Sequence, residues 1–199
     1  MTANVGRYVA RMEEIKKRVE AIDTILRGTH TTCWSHTNFE FIALQFRKIF
    51  EIIVLATIDS NEGALAGAAS AIFNEWQVGK IIRYVGRVNP KFFPKPAIQD
   101  GMQLREFKGE YLTLERLKEF HGRCGEWMHA KAPDLSPADY EEWSRRFEIW
   151  RKLTMNLLNY HTVQLADPME MLWVGMSEKT TGQVCWNIMQ LVLATERAS

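Results

Sequence analysis

One stretch constrains this chain more than any other. Residues 39–58, FEFIALQFRKIFEIIVLATI, carry apolar side chains around most of a helix circumference. A helix that is apolar on most faces has to be surrounded by other elements. It is read as running over about 37–60 and as the buried centre of the fold. Its most apolar part, Ile49–Ile58, is too short to span a bilayer and contains Glu51, so no membrane partner is expected. The charges within it are few. Glu40, Arg47 and Glu51 follow at spacings of seven and four residues and so share one face. They read either as an ion-pair network locking a buried helix or as support for a site on that face.

Periodicity predicts further helices around this centre. Over residues 4–27, Val9, Met12, Ile15, Val19, Ile22 and Ile25 recur at three- and four-residue spacing, and Gly28 is placed to end the helix. Residues 63–88 read as another helix, broken near Gly79 or Gly86, and its small-residue run GALAGAASA suits close helix packing. Residues 89–99, NPKFFPKPAIQ, hold three prolines and read as an ordered loop with Phe92 and Phe93 turned inward. Thr113 is a fair N-cap for a helix from Leu114 to about Ala130. Ser136-Pro137, with Asp139 three residues after the serine, opens a long amphipathic helix from Tyr140 to Tyr160 that ends before Asp167-Pro168.

The last segment changes character. MLWVGM, SEKTTG and QVCWNIMQLVL read as two strands about a polar turn, although Val184, Ile188, Leu191 and Val192 also fit a helix over 183–196. The expected architecture is therefore mainly α. It is a single domain over 1–199, with a helical bundle over about 4–165 and a small C-terminal β-hairpin over about 169–193. Most of the seven tryptophans fall in apolar-periodic segments and are expected to anchor the core.

With 25 basic and 24 acidic residues, the chain has no global basicity, so any nucleic-acid site must be local. Lys80, Arg83, Arg87 and Lys91 offer one such basic strip. Three cysteines, Cys33, Cys124 and Cys185, do not form a disulfide framework and read as reduced thiols. Together with an N-terminus lacking an apolar leader-like stretch, they lead us to expect a cytoplasmic protein. No dinucleotide fingerprint, phosphate loop, zinc-protease or serine-hydrolase motif occurs, and no cofactor is expected.

Two constellations can carry chemistry. The first is R-C-G-E-W-M-H, with Arg123 and His129 six residues apart. An imidazole can shuttle a proton near neutrality, and a guanidinium can clamp a phosphate and stabilise its added charge. On an ideal helix the two lie about 120° apart, so they converge only if the helix frays before His129 or Arg123 uses its full reach. Glu126, three residues before His129, can orient the ring. The bland alternative pairs Arg123 with Glu119 and leaves His129 as a helix-end cation. The second constellation is Cys33-x-x-His36 with His121-x-x-Cys124, a thiol–imidazole set suited in kind to a structural zinc ion.

In the stretch GRCGEWMHAKAP, with the charged apolar helix FIALQFRKIFE upstream, the sequence resembles a divergent member of the HEPN superfamily. These are helical domains with an arginine-to-histidine motif late in the bundle. The resemblance covers about residues 35–160 in architecture and the motif alone in detail. It implies a homodimer with its two Arg/His pairs facing one cleft, and metal-independent RNA cleavage in active members. Arg123 would be the phosphate clamp and His129 the proton carrier, with Glu40, Arg47 and Glu51 behind them. Cys124 stands where the family often has a polar Asn, Asp or His, and many members are non-catalytic binding modules. A ribonuclease, a dimeric helical binding module and a zinc-stabilised protein are the three readings carried forward.

Overall fold

The computed structural model describes residues 3–65, 75, 77–101, 103–128 and 136–190. It is mainly helical. Helix α1 (Val5–Leu26) is followed by α2 (Ser35–Ser60), the short α3 (Glu62–Leu65) and α4 (Val78–Val88). Strands β1 (Lys95–Asp100) and β2 (Gln103–Glu106) precede α5 (Leu114–Cys124) and a 3₁₀ turn, Gly125–Trp127. Then come α6 (Pro137–Leu158), β3 (Tyr160–Gln164), β4 (Glu170–Gly175) and β5 (Cys185–Gln190). Among the described residues no helix is long and apolar enough to cross a membrane.

Helix α2 is the centre that its composition requires. Phe46, Ile49, Phe50, Ile53, Val54 and Ile58 are almost wholly buried. Helix α1 packs along it through Tyr8, Met12, Ile15 and Ile22, and ends at Gly28, whose φ of 69° lies in the left-handed region that favours glycine. On the other side, Phe46 and Phe50 meet Phe120 of α5 and Phe147 and Trp150 of α6, with Phe120 stacked on Trp150 at 4.6 Å between centroids. Local capping follows the sequence. Thr113 accepts the Arg116 N–H, and Ser136 and Asp139 exchange the two bonds of a capping box.

Polar side chains fix how the elements meet. Asp59 near the end of α2 is fully buried and accepts hydrogen bonds from Arg7, at 2.7 and 2.9 Å, and from Arg11. Asn89 at the end of α4 donates to Asn61 Oδ1 at 2.9 Å and to the Gln164 carbonyl at 2.8 Å. That bond set ties the ends of α2 and α4 to β3.

The expected hairpin is present as β4 and β5, and residues 185–190 are strand rather than helix. It belongs to a larger sheet, antiparallel throughout, in the order β2-β1-β3-β4-β5. Two readings of the sequence are corrected here. Residues 95–100 are strand rather than loop, because proline excludes helix but not extended backbone. Pro96 sits opposite His161 of β3 where β2 has not yet begun to pair, so one edge is open beside a nitrogen that cannot donate. The final helix stops at Leu158, and Tyr160 opens β3. In that strand His161, Val163 and, just beyond it, Leu165 alternate inward, a period hidden because the first of them is polar.

Smaller differences follow. The expected interruption near Gly79 is present, since Gln77 is extended and α4 starts at Val78, whereas Gly86 lies inside α4 with Phe92 packed on it. Phe92 is buried and Phe93 packs against the core, as expected. The helix that carries the Arg/His motif passes into a 3₁₀ turn after Cys124. Most of the GALAGAASA run falls outside the described residues, as do 129–135 and 191–199.

His161 is wholly buried between sheet and α1. Its Nδ1 faces the Leu158 carbonyl at 2.8 Å and its Nε2 lies 2.8 Å from the Tyr8 hydroxyl. A carbonyl can only accept, so Nδ1 carries the proton and Nε2 accepts from Tyr8. Burial holds this imidazole down at about 4, against an ordinary 6.5. The unfolded chain then takes up a proton near pH 6.5, whereas the folded chain does so only near pH 4. Stability from this group is complete above about pH 6.5 and is lost as the pH falls to about 4, by about 3 kcal/mol. Urea unfolding across pH 4–7 is expected to show this loss, and His161→Gln is expected to flatten it. An equally steep pH dependence in the variant would contradict the assignment.

A candidate anion-binding cleft

Of the residues singled out in the sequence, Arg47 and Glu51 meet one turn apart on α2, whereas the Arg/His motif is described only in part. Arg123 lies on α5, 40% exposed, with Nε 3.1 Å from Glu119 Oε1 in a surface helix pair. His129 lies outside the described residues, so its relation to Arg123 is not described. Glu126 is exposed on the 3₁₀ turn. Cys124, next to Arg123, is buried, and its thiol is pushed up to about 12 by burial, which leaves it unreactive. Glu40 lies near the start of α2, 3.6 Å from His36 Nε2.

The zinc set is not assembled. Among the described residues no group of three or more His, Cys, Asp or Glu side chains is placed to hold a metal. Cys33 is exposed, with a φ of 72°, and His36 Nδ1 is 3.0 Å from the Tyr140 hydroxyl. His121 turns toward Glu51, and Cys124 is enclosed.

What the fold does bring together is a cleft of about 410 Å³ at the meeting of α2, α4 and α5. Arg47 and Glu51 enter from α2, and Lys118 and His121 from α5. Gln77, Val78 and Gly79, at the start of α4, close the third side. The sequence accounts for each wall. Arg47 and Glu51 are one turn apart on α2, and Lys118 and His121 are three residues apart on α5.

The electrostatics of the cleft are specific. Glu51 is shared: Arg47 Nε lies 3.2 Å from Oε1, Lys48 Nζ 2.9 Å from Oε2, and His121 Nε2 3.5 Å from Oε1. Burial raises this carboxyl, but Lys48, His121 and Arg47 together outweigh it and hold it below the usual carboxylate range. His121 Nε2 is enclosed and has no formed hydrogen bond among the described residues, Glu51 being at the outer limit of distance. Burial first, then the Arg47 charge, lower the His121 imidazole, and Glu51 opposes them without reversing the sign. The ring is therefore neutral at pH 7. Lys118 has no acidic partner among the described residues. The first turn of α4 presents backbone N–H groups that its N-cap Gln77 does not cap with its side chain, and the Glu75 carboxylate stands just before it, accepting from the Gln77 N–H at 2.8 Å.

The cleft thus holds two cations, one committed carboxylate, a neutral imidazole and a helix N-terminus, a set suited to an anion. The basic strip continues away from it. Lys80, Arg83 and Arg87 are exposed on α4, with Lys91 beyond its end, Lys80 Nζ lying 3.4 Å from Glu75 and Arg83 donating to the Gly79 carbonyl. Sequence reasoning missed Lys118 and saw His121 only as a zinc ligand. The Lys-x-x-His spacing on α5 was the signal available. No protein-family model, curated protein or solved structure matches this chain.

An NMR titration of the histidine ring protons is expected to place His121 below the ordinary 6.5. Arg47→Gln should raise its midpoint and Glu51→Gln should lower it further. A midpoint above 6.5, or a fall in Arg47→Gln, would contradict these electrostatics.

Proposed function

We propose that this chain is a HEPN-like helical domain that binds RNA through the α2–α4–α5 cleft and cleaves it without metal. Arg47, Lys118 and the start of α4 would hold the phosphodiester. The observation that carries the reading is a neutral, enclosed His121 beside Arg47, with Lys118 lacking an acidic partner.

The chemistry follows from tautomer and charge. With its Nε2 proton directed at Glu51, the ring keeps its lone pair on Nδ1. That nitrogen takes the proton of a ribose 2′-hydroxyl as the oxygen attacks phosphorus. The bond to the 5′ oxygen breaks as the protonated ring returns that proton to it, leaving a 2′,3′-cyclic phosphate and a 5′-hydroxyl and restoring the neutral imidazole. Arg47 and Lys118 stabilise the charge that builds on phosphorus. The expected homodimer and cytoplasmic location belong to the same proposal, as does an accessory role for the exposed cations of α4.

A binding module without catalysis is the second reading. It is favoured by Arg123, whose pairing with Glu119 is that of an ordinary surface helix. RNA incubated in excess EDTA separates the two. The native protein is expected to yield cyclic-phosphate ends, His121→Ala to lose about 100-fold or more in rate, and Arg123→Ala to stay active. Cleavage lost in Arg123→Ala and His129→Ala but kept in His121→Ala would move the site to the Arg/His motif. Absence of cleavage, with RNA binding that Lys118→Ala weakens, would leave the module.

A further inference from the structure

The outer face of the sheet differs in chemistry from the cleft. Side chains alternate along a strand, so while His161, Val163, Leu172 and Val174 face the core, Tyr160 and Trp173 face the other way. Tyr160 pairs in register with Gly175. A Cβ at position 175 would come within 3.0 Å of the Tyr160 ring and 2.9 Å of Cys185 Sγ. Glycine therefore lets the ring lie down across the neighbouring strand. Tyr160 and Trp173 consequently sit 15° from parallel with centroids 6.2 Å apart, a stacked aromatic pair that makes the floor of the outer face.

Three adjoining cavities of about 540, 310 and 230 Å³ open around this floor, and Gln99 of the β1–β2 hairpin lines all of them. Asn187 of β5, in register with Trp173, lines the smallest. Its side-chain amide has no partner among the described residues, and Gln99 Nε2 reaches only the Gly101 carbonyl, at 3.3 Å. The Trp173 indole N–H is buried and also unpartnered among the described residues. Among the described lining residues, charge is confined to one rim, where Glu178 and Lys179 are of opposite sign.

These features select a class of ligand. A groove that tracks a polynucleotide needs a line of positive charge, and this one has a single lysine offset by a glutamate. The occupant is then a small, uncharged, planar ring. Aromatic floors stack heteroaromatic bases, and a carboxamide presents a donor and an acceptor side by side. That pair matches the adjacent N6 donor and N7 acceptor of adenine, the commonest amide-to-base pairing. We propose that the groove binds an adenine nucleoside, with the base stacked on Tyr160 and Trp173 and its edge held by the amides of Gln99 and Asn187.

Isothermal titration of the full chain with adenosine, and separately with uridine and maltose, tests this. Adenosine is expected to bind at least 10-fold more tightly than uridine, and maltose not at all. Gln99→Leu and Asn187→Leu, both at exposed positions, should each weaken adenosine about 10-fold or more with unchanged thermal unfolding. No heat from adenosine at millimolar concentration would overturn the proposal. So would equal affinity for uridine, binding of maltose instead, or native affinity in both variants. None of these outcomes bears on RNA cleavage at His121, so the two proposals stand or fall separately.

Discussion

The burial of α2 on all sides is the constraint from which the rest of the architecture follows. From Ile52 to Asn61 every residue but Leu55 is buried, so no face of that half is left for solvent. A helix in that condition needs neighbours all round, which α1, α4, α5 and α6 supply. Its polar side chains have few permitted places. Asp59, at the buried end, is compensated there by Arg7 and Arg11, which reach it from α1. Arg47 and Glu51 lie nearer the open end, where α2 emerges between α4 and α5, and there they line a cleft.

The same packing explains why the sheet has one occupied and one open face. Helix α6 packs on β1 and β3, and α1, which lies along α2, is joined to the sheet through the Tyr8–His161 hydrogen bond. The Asn61–Asn89–Gln164 chain then fixes the ends of α2 and α4 against β3. With the inner face used in this way, the outer face keeps Tyr160 and Trp173 at its surface, bounded by the β1–β2 hairpin. Cleft and groove use different chemistry. The first combines cations with an imidazole, and the second combines a stacked aromatic pair with neutral amides.

Much of the fold was legible because helical periodicity and capping are local signals. Helices α1 and α2, the Thr113 cap and the Ser136–Asp139 box could all be read within a few residues. The sheet was less so. Proline around Pro96 looked like loop because it forbids helix, although it accepts extended backbone, and the buried strand residue His161 broke the apolar alternation of β3. The site was the least legible part. Arg47 and Lys118 lie 71 positions apart in the chain, and only the packing of α5 on α2 brings them to one cleft. His121 was noticed for its spacing to Cys124, which points to metal, whereas its neighbours in space are Glu51 and Arg47. The Arg123–His129 spacing gave the family resemblance, but Arg123 is engaged by Glu119 on the surface.

The central claim is that the α2–α4–α5 cleft holds a phosphodiester backbone. The salt dependence of affinity for a short single-stranded RNA tests it most directly, because each phosphate contact contributes to the slope of log affinity against log salt. With the intact chain the slope is expected to be clearly negative. Arg47→Ala and Lys118→Ala should each reduce it by about one contact's worth, roughly 0.7 for a single strand. An affinity independent of salt, or slopes unchanged in both variants, would contradict the account.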